Sequence, residues 1–309
     1  MVKYNDVPIL VHVGPHKTGT TWLQENIFTT AQGIVYDPSF ELSHRAFLNP
    51  YYGNFDPEAA RAVYLPMLER ARLERKPLVI SDEALSGWPF GQRSTRQIVA
   101  ERIQLTFPQA RILITVREQD AVLLSMYSEY LRYGFSSSLP AFLNQETSNP
   151  NLQPLLDLTY YEWDRVLDMY SSIFGPQQVI AVPMEWGISK PENYISVLET
   201  FLDARLGTLE SQKMEKVARP ALSGWSLSVL RRANMTRPHD TRHLHRPSRF
   251  SPNSLAYQVD RFTPKGARKR SKQAMKDKID QSVGNKFTAS NREFQKETNY
   301  DLAAFSYKT

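Results

Sequence analysis

The sequence predicts an α/β fold, in which a parallel sheet of four to five strands carries helices on both faces and a basic, irregular and helical lobe follows. Three observations predict it. Short apolar runs alternate with segments of helical periodicity up to residue 208. A turn rich in Gly and Thr joins the first apolar run to the first helical segment. Basic residues are concentrated in the last third of the chain.

The first strand is expected at 7–13, because a β-branched apolar run followed by Gly is typical of a buried parallel strand. Pro66 is expected to kink or split the second helix, and Gly175 to cap the fifth. Further strands are expected at 77–81, 111–116 and 179–182, and helices at 20–28, 57–75, 94–107, 120–133, 160–174, 192–202 and 264–281.

Right-handed crossovers between parallel strands bring the carboxyl ends of the strands to one edge of the sheet, and ligands bind at that edge. The loops that start there begin at Gly14, Asp82, Arg117 and Met184. These four loops are therefore the places to look for functional residues.

Composition narrows the function classes. The 309 residues include 41% apolar and 23% charged residues, an ordinary globular balance that excludes a disordered or fibrous chain. Cys is absent, which excludes disulfides and thiol catalysis and fits a reducing compartment. The N-terminal apolar run is too short for a transmembrane helix and lacks the features of a signal peptide. We therefore expect a cytoplasmic protein without a transmembrane segment.

The net charge of +6 is unevenly distributed. Residues 231–276 contain 13 Lys or Arg against Asp240 and Asp260. A segment of this kind usually meets an anion, such as a phosphate, a sulfate group or a nucleic acid. His239, His243 and His245 lie in the same segment, but their Arg-rich surroundings oppose a bound cation, and we expect no metal.

The strongest motif is GPHKTGTT at 14–21, between the first strand and the first helix. Backbone N–H groups at such a turn form a cradle for an anion. Gly14, Gly19 and Thr21 fit the P-loop pattern G-x-x-x-x-G-K-[ST], but Thr20 occupies the lysine position and the lysine lies earlier, at Lys17. No strand convincingly ends in the Asp that would hold Mg²⁺, and the third strand ends in Arg117 instead. The loop therefore favours a nucleotide anion without a magnesium-bound triphosphate.

A second motif pairs Arg117, at the end of the third strand, with Ser125 eight residues later. With Asp120 as the expected N-cap, Ser125 falls in the second turn of the next helix. A guanidinium and a hydroxyl that face one site suit a phosphate group.

Together these motifs resemble those of the sulfotransferases that use 3′-phosphoadenosine 5′-phosphosulfate (PAPS), and the C-terminal SNREFQKETNYDLAAFSY resembles the tail of bacterial members. The family loop reads P-K-[ST]-G-T-T; here His16 stands between Pro and Lys. The resemblance implies a P-loop-type sheet and a single domain at 1–309, with a nucleotide-binding core at 1–208 and a basic lobe at 209–309.

The resemblance also implies roles for individual residues. The donor would be PAPS, and no metal would be needed. Arg117 and Ser125 would bind the 3′-phosphate, and Trp22 would stack on adenine. The 5′-phosphosulfate would bind the loop residues Lys17, Thr18, Gly19, Thr20 and Thr21. Many cytosolic members have an R-K-G stretch that touches the 3′-phosphate; here only the region of Lys265, Arg268 and Lys269 offers a counterpart.

The acceptor hydroxyl needs a general base. Members that modify glycans use a Glu just after the second strand, and Glu83 occupies that place, where partial burial is expected to raise its pKa. Asp82 and His16 stay open as alternatives. His44 is a candidate for the acceptor pocket, and Glu185 is expected to be structural. Lys17 is the candidate cation for the transition state. We expect the acceptor to be a glycan or another hydroxyl compound, either neutral or anionic.

Two other functions remain alternatives at this point. A P-loop kinase-like phosphotransferase would need a lysine directly after Gly19 and an acid for Mg²⁺. A non-catalytic polyanion-binding protein would use residues 231–276. That segment lacks a nucleic-acid motif and is poor in aromatic residues, so we expect no nucleic-acid partner. The sequence carries no signal for an oligomeric state.

Overall fold

Five parallel strands form one sheet in the computed structural model, which describes residues 4, 6–90, 95–143, 155–207, 222–236 and 252–309. The strands are β1 (Ile9–His12), β2 (Val35–Tyr36), β3 (Leu78–Ser81), β4 (Arg111–Val116) and β5 (Val179–Pro183). Their order is β2-β3-β1-β4-β5, so β1 is central and the chain leaves it in both directions. The predicted fold class is confirmed.

Alternate strand residues face two separate hydrophobic clusters, as the pleat of a sheet buried on both faces requires. Ile9, Val11 and Ile112 belong to the larger cluster. Leu10 and Leu113 belong to the smaller one. The uninterrupted apolar runs in the sequence reflect this double burial.

Helices cover both faces. They are α1 (Thr20–Leu23), which continues as a π-helical turn (Gln24–Phe28), α2 (Glu41–Ser43), α3 (Pro57–Val63), α4 (Leu65–Glu74), α5 (Arg96–Thr106), α6 (Gln119–Arg132), α7 (Leu139–Leu143), α8 (Trp163–Phe174), α9 (Met184–Ser189), α10 (Pro191–Leu202), α11 (Gly224–Met235), α12 (Pro252–Phe262), α13 (Lys265–Val283) and α14 (Thr288–Thr298). Helices α1 and α10 pack on the smaller cluster. Helices α3, α5, α6 and α8 pack on the larger one.

Most predicted elements are present with small shifts of their ends. The second predicted helix is split at Tyr64, two residues before Pro66, into α3 and α4. Gly175 ends α8 with φ 91°. The predicted helix over 160–174 begins later, because Leu158–Tyr161 form a 3₁₀ turn. The edge strand β2 and the helices α11 and α12 were not predicted.

The C-terminal helices share the larger cluster with the sheet. Leu227, Ile279 and Phe294 are buried in it beside strand residues such as Ile9. The basic lobe therefore packs on the core through a continuous apolar interior. Among the described residues, no helix is long and apolar enough to cross a membrane.

Gly14 follows β1 at a point where the chain passes very close to neighbouring side chains. A Cβ atom built there would lie 2.7 Å from His12 Nε2 and 2.7 Å from Thr20 Oγ1, and closer still to Thr115 Oγ1. Only a residue without a side chain fits this position without displacing the strand ends.

We therefore expect Gly14→Ala to lower the free energy of unfolding by about 1–3 kcal/mol, the usual cost of overpacking. Gly53→Ala is the matched control, because its Cβ would meet nothing closer than 3.8 Å. Urea unfolding of both variants measures the difference. Equal stability of the two variants would show that the contacts at Gly14 are not restrictive.

Candidate functional site

The loop after β1 has a backbone shape suited to an anion. Lys17 and Gly19 both have positive φ, 68° and 99°, a backbone conformation that anion-binding turns use. Gly19 caps α1, and the first N–H groups of a helix have no carbonyl of the preceding turn to bond. The helix N-terminus also carries a partial positive charge. The turn and the helix start predicted at 14–21 are therefore present, and their binding of an anion stays a prediction.

A buried chain of polar side chains holds this loop against the strand ends. His12, fully buried in β1, contacts Ser81 Oγ of β3 at 2.8 Å and Thr115 Oγ1 of β4 at 3.1 Å. Thr115 Oγ1 lies 3.0 Å from Thr18 Oγ1. Thr18 in turn donates its hydroxyl to the carbonyl of Pro15 at 2.6 Å. Three neighbouring strands thus fix the loop at one point.

The three threonines of the loop differ in burial and in hydrogen bonding. The hydroxyl of Thr18 is used inside the loop, and Thr20 Oγ1 donates to the carbonyl of Gly14 at 3.3 Å. Both residues are buried, whereas Thr21 is exposed. The side chains of Thr18 and Thr20 therefore shape the cradle, and the hydroxyl of Thr21 faces solvent, where a ligand can reach it.

Burial lowers the pKa of His12 from 6.5 to about 3. The imidazole is therefore neutral at physiological pH and can bond both hydroxyls through one donor and one acceptor nitrogen. Below pH 6.5 the unfolded chain binds a proton that the folded chain does not, so this group makes stability fall as pH falls from about 6.5 toward 3.

We expect His12→Gln to remove that pH dependence. Relative to the variant, the free energy of unfolding of the wild-type protein should fall by about 1.4 kcal/mol for each pH unit between pH 6 and pH 4. This slope corresponds to one proton that is taken up on unfolding. Urea unfolding of both proteins across this range measures the difference. Parallel stability profiles would show that His12 takes up a proton in the folded state.

The structure brings the two predicted cations to the same loop. Arg117, directly after β4, donates from Nη1 to the carbonyl of Lys17 at 3.0 Å. The ammonium of Lys17 forms an ion pair with Glu129 of α6. Ser125 precedes Glu129 by four residues, so both lie on the same face of α6, the face toward the loop. Tyr133 donates to Glu129 at 3.0 Å and completes the cluster.

The N-cap of α6 differs from the prediction. Glu118, not Asp120, caps the helix, by accepting from the N–H groups of Asp120 at 2.8 Å and Ala121 at 2.9 Å. Glu118 has the longer side chain and sits where the chain leaves Arg117 in an extended conformation. Lys276 of α13 forms an ion pair with Glu118 at 2.7 Å. The basic lobe therefore reaches the neighbourhood of Arg117 through Lys276.

The three basic residues predicted from the lobe lie elsewhere on α13. Lys265 and Lys269 are exposed, and Arg268 pairs with Asp260 at 3.4 Å. Among the described residues, none of the three forms a hydrogen bond or ion pair with the loop. Lys276 is at least seven residues, about two helical turns, farther along the helix. The structure does not bring Lys265, Arg268 and Lys269 to Arg117.

Trp22 is placed in the core. It is only 5% exposed and packs near Tyr194 of α10, with 6.4 Å between ring centroids. A ring enclosed in this way offers little free face to a base. The structure thus does not support the predicted stacking of Trp22 on adenine, and its buried position on α1 is the physical reason.

The residues after β3 point to opposite sides, as expected for neighbours in extended chain. Asp82 turns away from the loop: it accepts from the hydroxyl of Ser43 and lies 3.8 Å from Nε2 of the half-exposed His44. Burial raises its pKa. Glu83 turns toward the loop, where its Oε1 lies 3.5 Å from Nδ1 of His16.

Glu83 and His16 form a pair beside an exposed ring. The side chain of Glu83 is 36% exposed, and that of His16 only 6%. His16 stands edge-on to Trp88 at 5.1 Å, and Trp88 is 46% exposed. His16 Nε2 is buried without a hydrogen-bond partner among the described residues. A carboxylate, an imidazole and an open indole therefore lie together beside the loop.

The expected rise in the pKa of Glu83 is wrong. Burial alone raises it, but the hydrogen bond from His16 and the charges of His16 and Lys17 together lower the pKa below its ordinary value. Glu83 is thus held as a carboxylate. Glu185 behaves as expected of a structural residue: it accepts from the N–H of Glu118 at 3.0 Å and from the hydroxyl of Tyr307 at 3.1 Å.

Four residues of this site were missed in the sequence: His12, Trp88, Glu129 and Lys276. Of these four, only Glu129 could have been found from the sequence, because it follows Ser125 by four residues and so lies on the same face of the predicted helix. His239, His243 and His245 lie outside the described residues. Within the described ranges, no cluster of three or more His, Cys, Asp or Glu could hold a metal ion.

No protein-family model matches the chain, and no curated protein sequence matches it. Among solved structures, it is similar to a sulfotransferase from Alicyclobacillus acidocaldarius, with 18% identity, 81% of this chain and 98% of that chain covered, and a TM-score of 0.49. It is also similar to mouse sulfotransferase SULT7A1 complexed with PAP, with 14% identity, 94% and 89% coverage, and a TM-score of 0.35.

Proposed function

We propose that this protein is a PAPS-dependent sulfotransferase that moves a sulfuryl group to an acceptor hydroxyl. The observation that carries the proposal is the meeting of Lys17 and Arg117 at one loop, through the 3.0 Å bond from the Arg117 guanidinium to the carbonyl of Lys17. Two cations at the edges of one anion cradle fit a donor with two separate anionic groups, a 5′-phosphosulfate and a 3′-phosphate.

The donor would lie along the loop between α1 and α6. The N-terminus of α1 and the hydroxyl of Thr21 would bind the phosphosulfate. Arg117 and Ser125 would bind the 3′-phosphate. The ion pair of Lys17 with Glu129 supports a further step: the ammonium exchanges Glu129 for the donor when the donor binds.

The reaction itself is an in-line displacement at sulfur. The acceptor oxygen forms a new S–O bond while the S–O bond to the 5′-phosphate breaks, and its electron pair stays on the phosphate of the product PAP. Charge grows on that phosphate oxygen, where the ammonium of Lys17 would stabilise it. The proton of the hydroxyl passes to the carboxylate of Glu83, which His16 holds ionised.

The acceptor side favours a sugar hydroxyl. Trp88 offers an exposed apolar ring that lies 6.3 Å from the ring of Tyr133. The charges of Glu129 and Glu83 both act on the Tyr133 hydroxyl, so two carboxylates near this ring can accept hydrogen bonds from hydroxyl groups. Such a ring with flanking carboxylates suits a carbohydrate. Two carboxylates also disfavour a negative charge beside the reacting hydroxyl. We therefore propose a neutral or amino sugar as the reacting unit, even where the rest of the acceptor is anionic.

Lys17 and Arg117 should affect different kinetic constants. Lys17→Ala removes a charge at the atom where charge develops, so we expect kcat to fall by about 10²–10³. Arg117→Ala acts on a phosphate that does not react, so KM for PAPS should rise at least about tenfold with little change in kcat. Initial rates of transfer from radiolabelled PAPS to a panel of sugars provide both constants.

The exposed Arg72→Ala serves as the control for loss of a positive charge and should match the wild-type protein. A Lys17→Ala enzyme with near-normal kcat would overturn the role given to the ammonium.

The base has its own test. Glu83→Gln keeps the shape of the side chain but cannot take the proton, so kcat should fall about 100-fold, the usual loss for a general base, with PAP binding unchanged. Asp82→Asn is the matched control and should retain most activity.

His16 tests the same assignment through pH. Because His16 lowers the pKa of Glu83, His16→Leu should raise that pKa. The carboxylate is the active form, and activity is lost as pH falls through its pKa. The acid limb of kcat/KM should therefore move to higher pH in His16→Leu. Loss of that limb altogether, with full activity of Glu83→Gln, would reassign the base to His16.

A further inference from the structure

A cavity of about 530 Å³ lies between helices α6, α7, α11 and α13. Its size falls in the range of about 300–1,000 Å³ that is usual for small-molecule sites. Tyr127, Leu227 and Met275 give it an apolar wall. The cavity lies between the core and the basic lobe and takes no part in the sulfuryl transfer proposed above.

The charged residues that line the cavity are all cations. Arg231 and Arg232 come from the last turns of α11, and Lys278 comes from α13. No carboxylate lines the cavity among the described residues. Arg231 is held in place by donating from Nε to the carbonyl of Ser136 at 2.9 Å, whereas Arg232 and Lys278 are exposed. Like charges gathered without a counterion repel each other, and a bound anion relieves that repulsion.

The cavity is separate from the donor loop. Tyr127 is two residues from both Ser125 and Glu129, so it projects from nearly the opposite side of α6. Between His16 and Tyr127 the rings of Trp88, Phe90 and Tyr130 form a packed series, with centroid distances of 5.1, 5.4, 6.2 and 6.4 Å. A layer of aromatic rings thus divides the two sites.

We propose that this cavity binds an amphipathic organic anion, with its ring or alkyl part on Tyr127, Leu227 and Met275 and its anionic group among the three cations. Apolar contact alone does not account for three cations around one cavity that no carboxylate of the described residues lines. Charge alone does not account for an apolar wall of this size. The proposal stands independently of the sulfotransferase assignment.

The test is isothermal titration calorimetry with naphthalene-2-sulfonate, which has an apolar ring, a fixed negative charge and no transferable sulfuryl group. It is run on the full chain with and without saturating PAP. The probe should bind equally in both conditions. Inorganic sulfate has the negative charge without the ring, and 2-naphthol has the ring without the charge. Each should bind at least about tenfold more weakly than the probe. Displacement of the probe by PAP would overturn the proposal, because it would place the probe in the donor site.

Two variants identify the cavity. Arg232→Glu with Lys278→Glu should weaken binding of the probe at least about tenfold. Arg270→Glu with Arg292→Glu, exposed residues outside the cavity, makes the same change in net charge and should bind normally. Ser228→Trp fills the cavity without changing charge and should also abolish binding, with circular dichroism confirming its fold. Unchanged affinity in both cavity variants, or no binding to the wild-type protein, would overturn the proposal.

Discussion

The site depends on one uncharged, buried histidine. His12 joins Ser81 of β3 to Thr115 of β4, and Thr115 joins Thr18 of the loop. These contacts fix the loop relative to the three central strands before any ligand arrives. A rigid cradle of N–H groups need not reorganise when charge develops on a bound anion, and this is the property that makes such a cradle effective in catalysis. The close approach at Gly14 is part of the same constraint.

The cations around the cradle are already engaged. Lys17 pairs with Glu129, Arg117 bonds the carbonyl of Lys17, and Lys276 pairs with Glu118. A bound anion would therefore gain less from these charges than their number suggests, since it would replace existing contacts. The same contacts hold the side chains of the cations in fixed positions, so that they do not sample many conformations in solvent. In the proposed reaction, exchange at Glu129 would link the two substrates, because Tyr133 lies near both Glu129 and Glu83.

The features predicted correctly from the sequence are those that a short stretch of residues determines. The loop at 14–21, Arg117 and the strands of the sheet other than β2 follow from short motifs and apolar runs, and the structure contains them. Glu129, Trp88 and Lys276 were missed because they reach the site through contacts far apart in the chain, such as the pair between Lys276 and Glu118. Trp22 was misassigned because a motif cannot tell which face of α1 is buried. The pKa of Glu83 was misjudged because the direction of its shift depends on His16 and Lys17 as well as on burial.

The most direct test of the central claim is binding of PAP and of AMP, measured by isothermal titration calorimetry in EDTA. The two ligands differ only in the 3′-phosphate assigned to Arg117 and Ser125. The account predicts that PAP binds about 10- to 100-fold more tightly than AMP, the value of one or two charged hydrogen bonds, and that Arg117→Ala removes the difference. Equal affinity for PAP and AMP in the wild-type protein would contradict it.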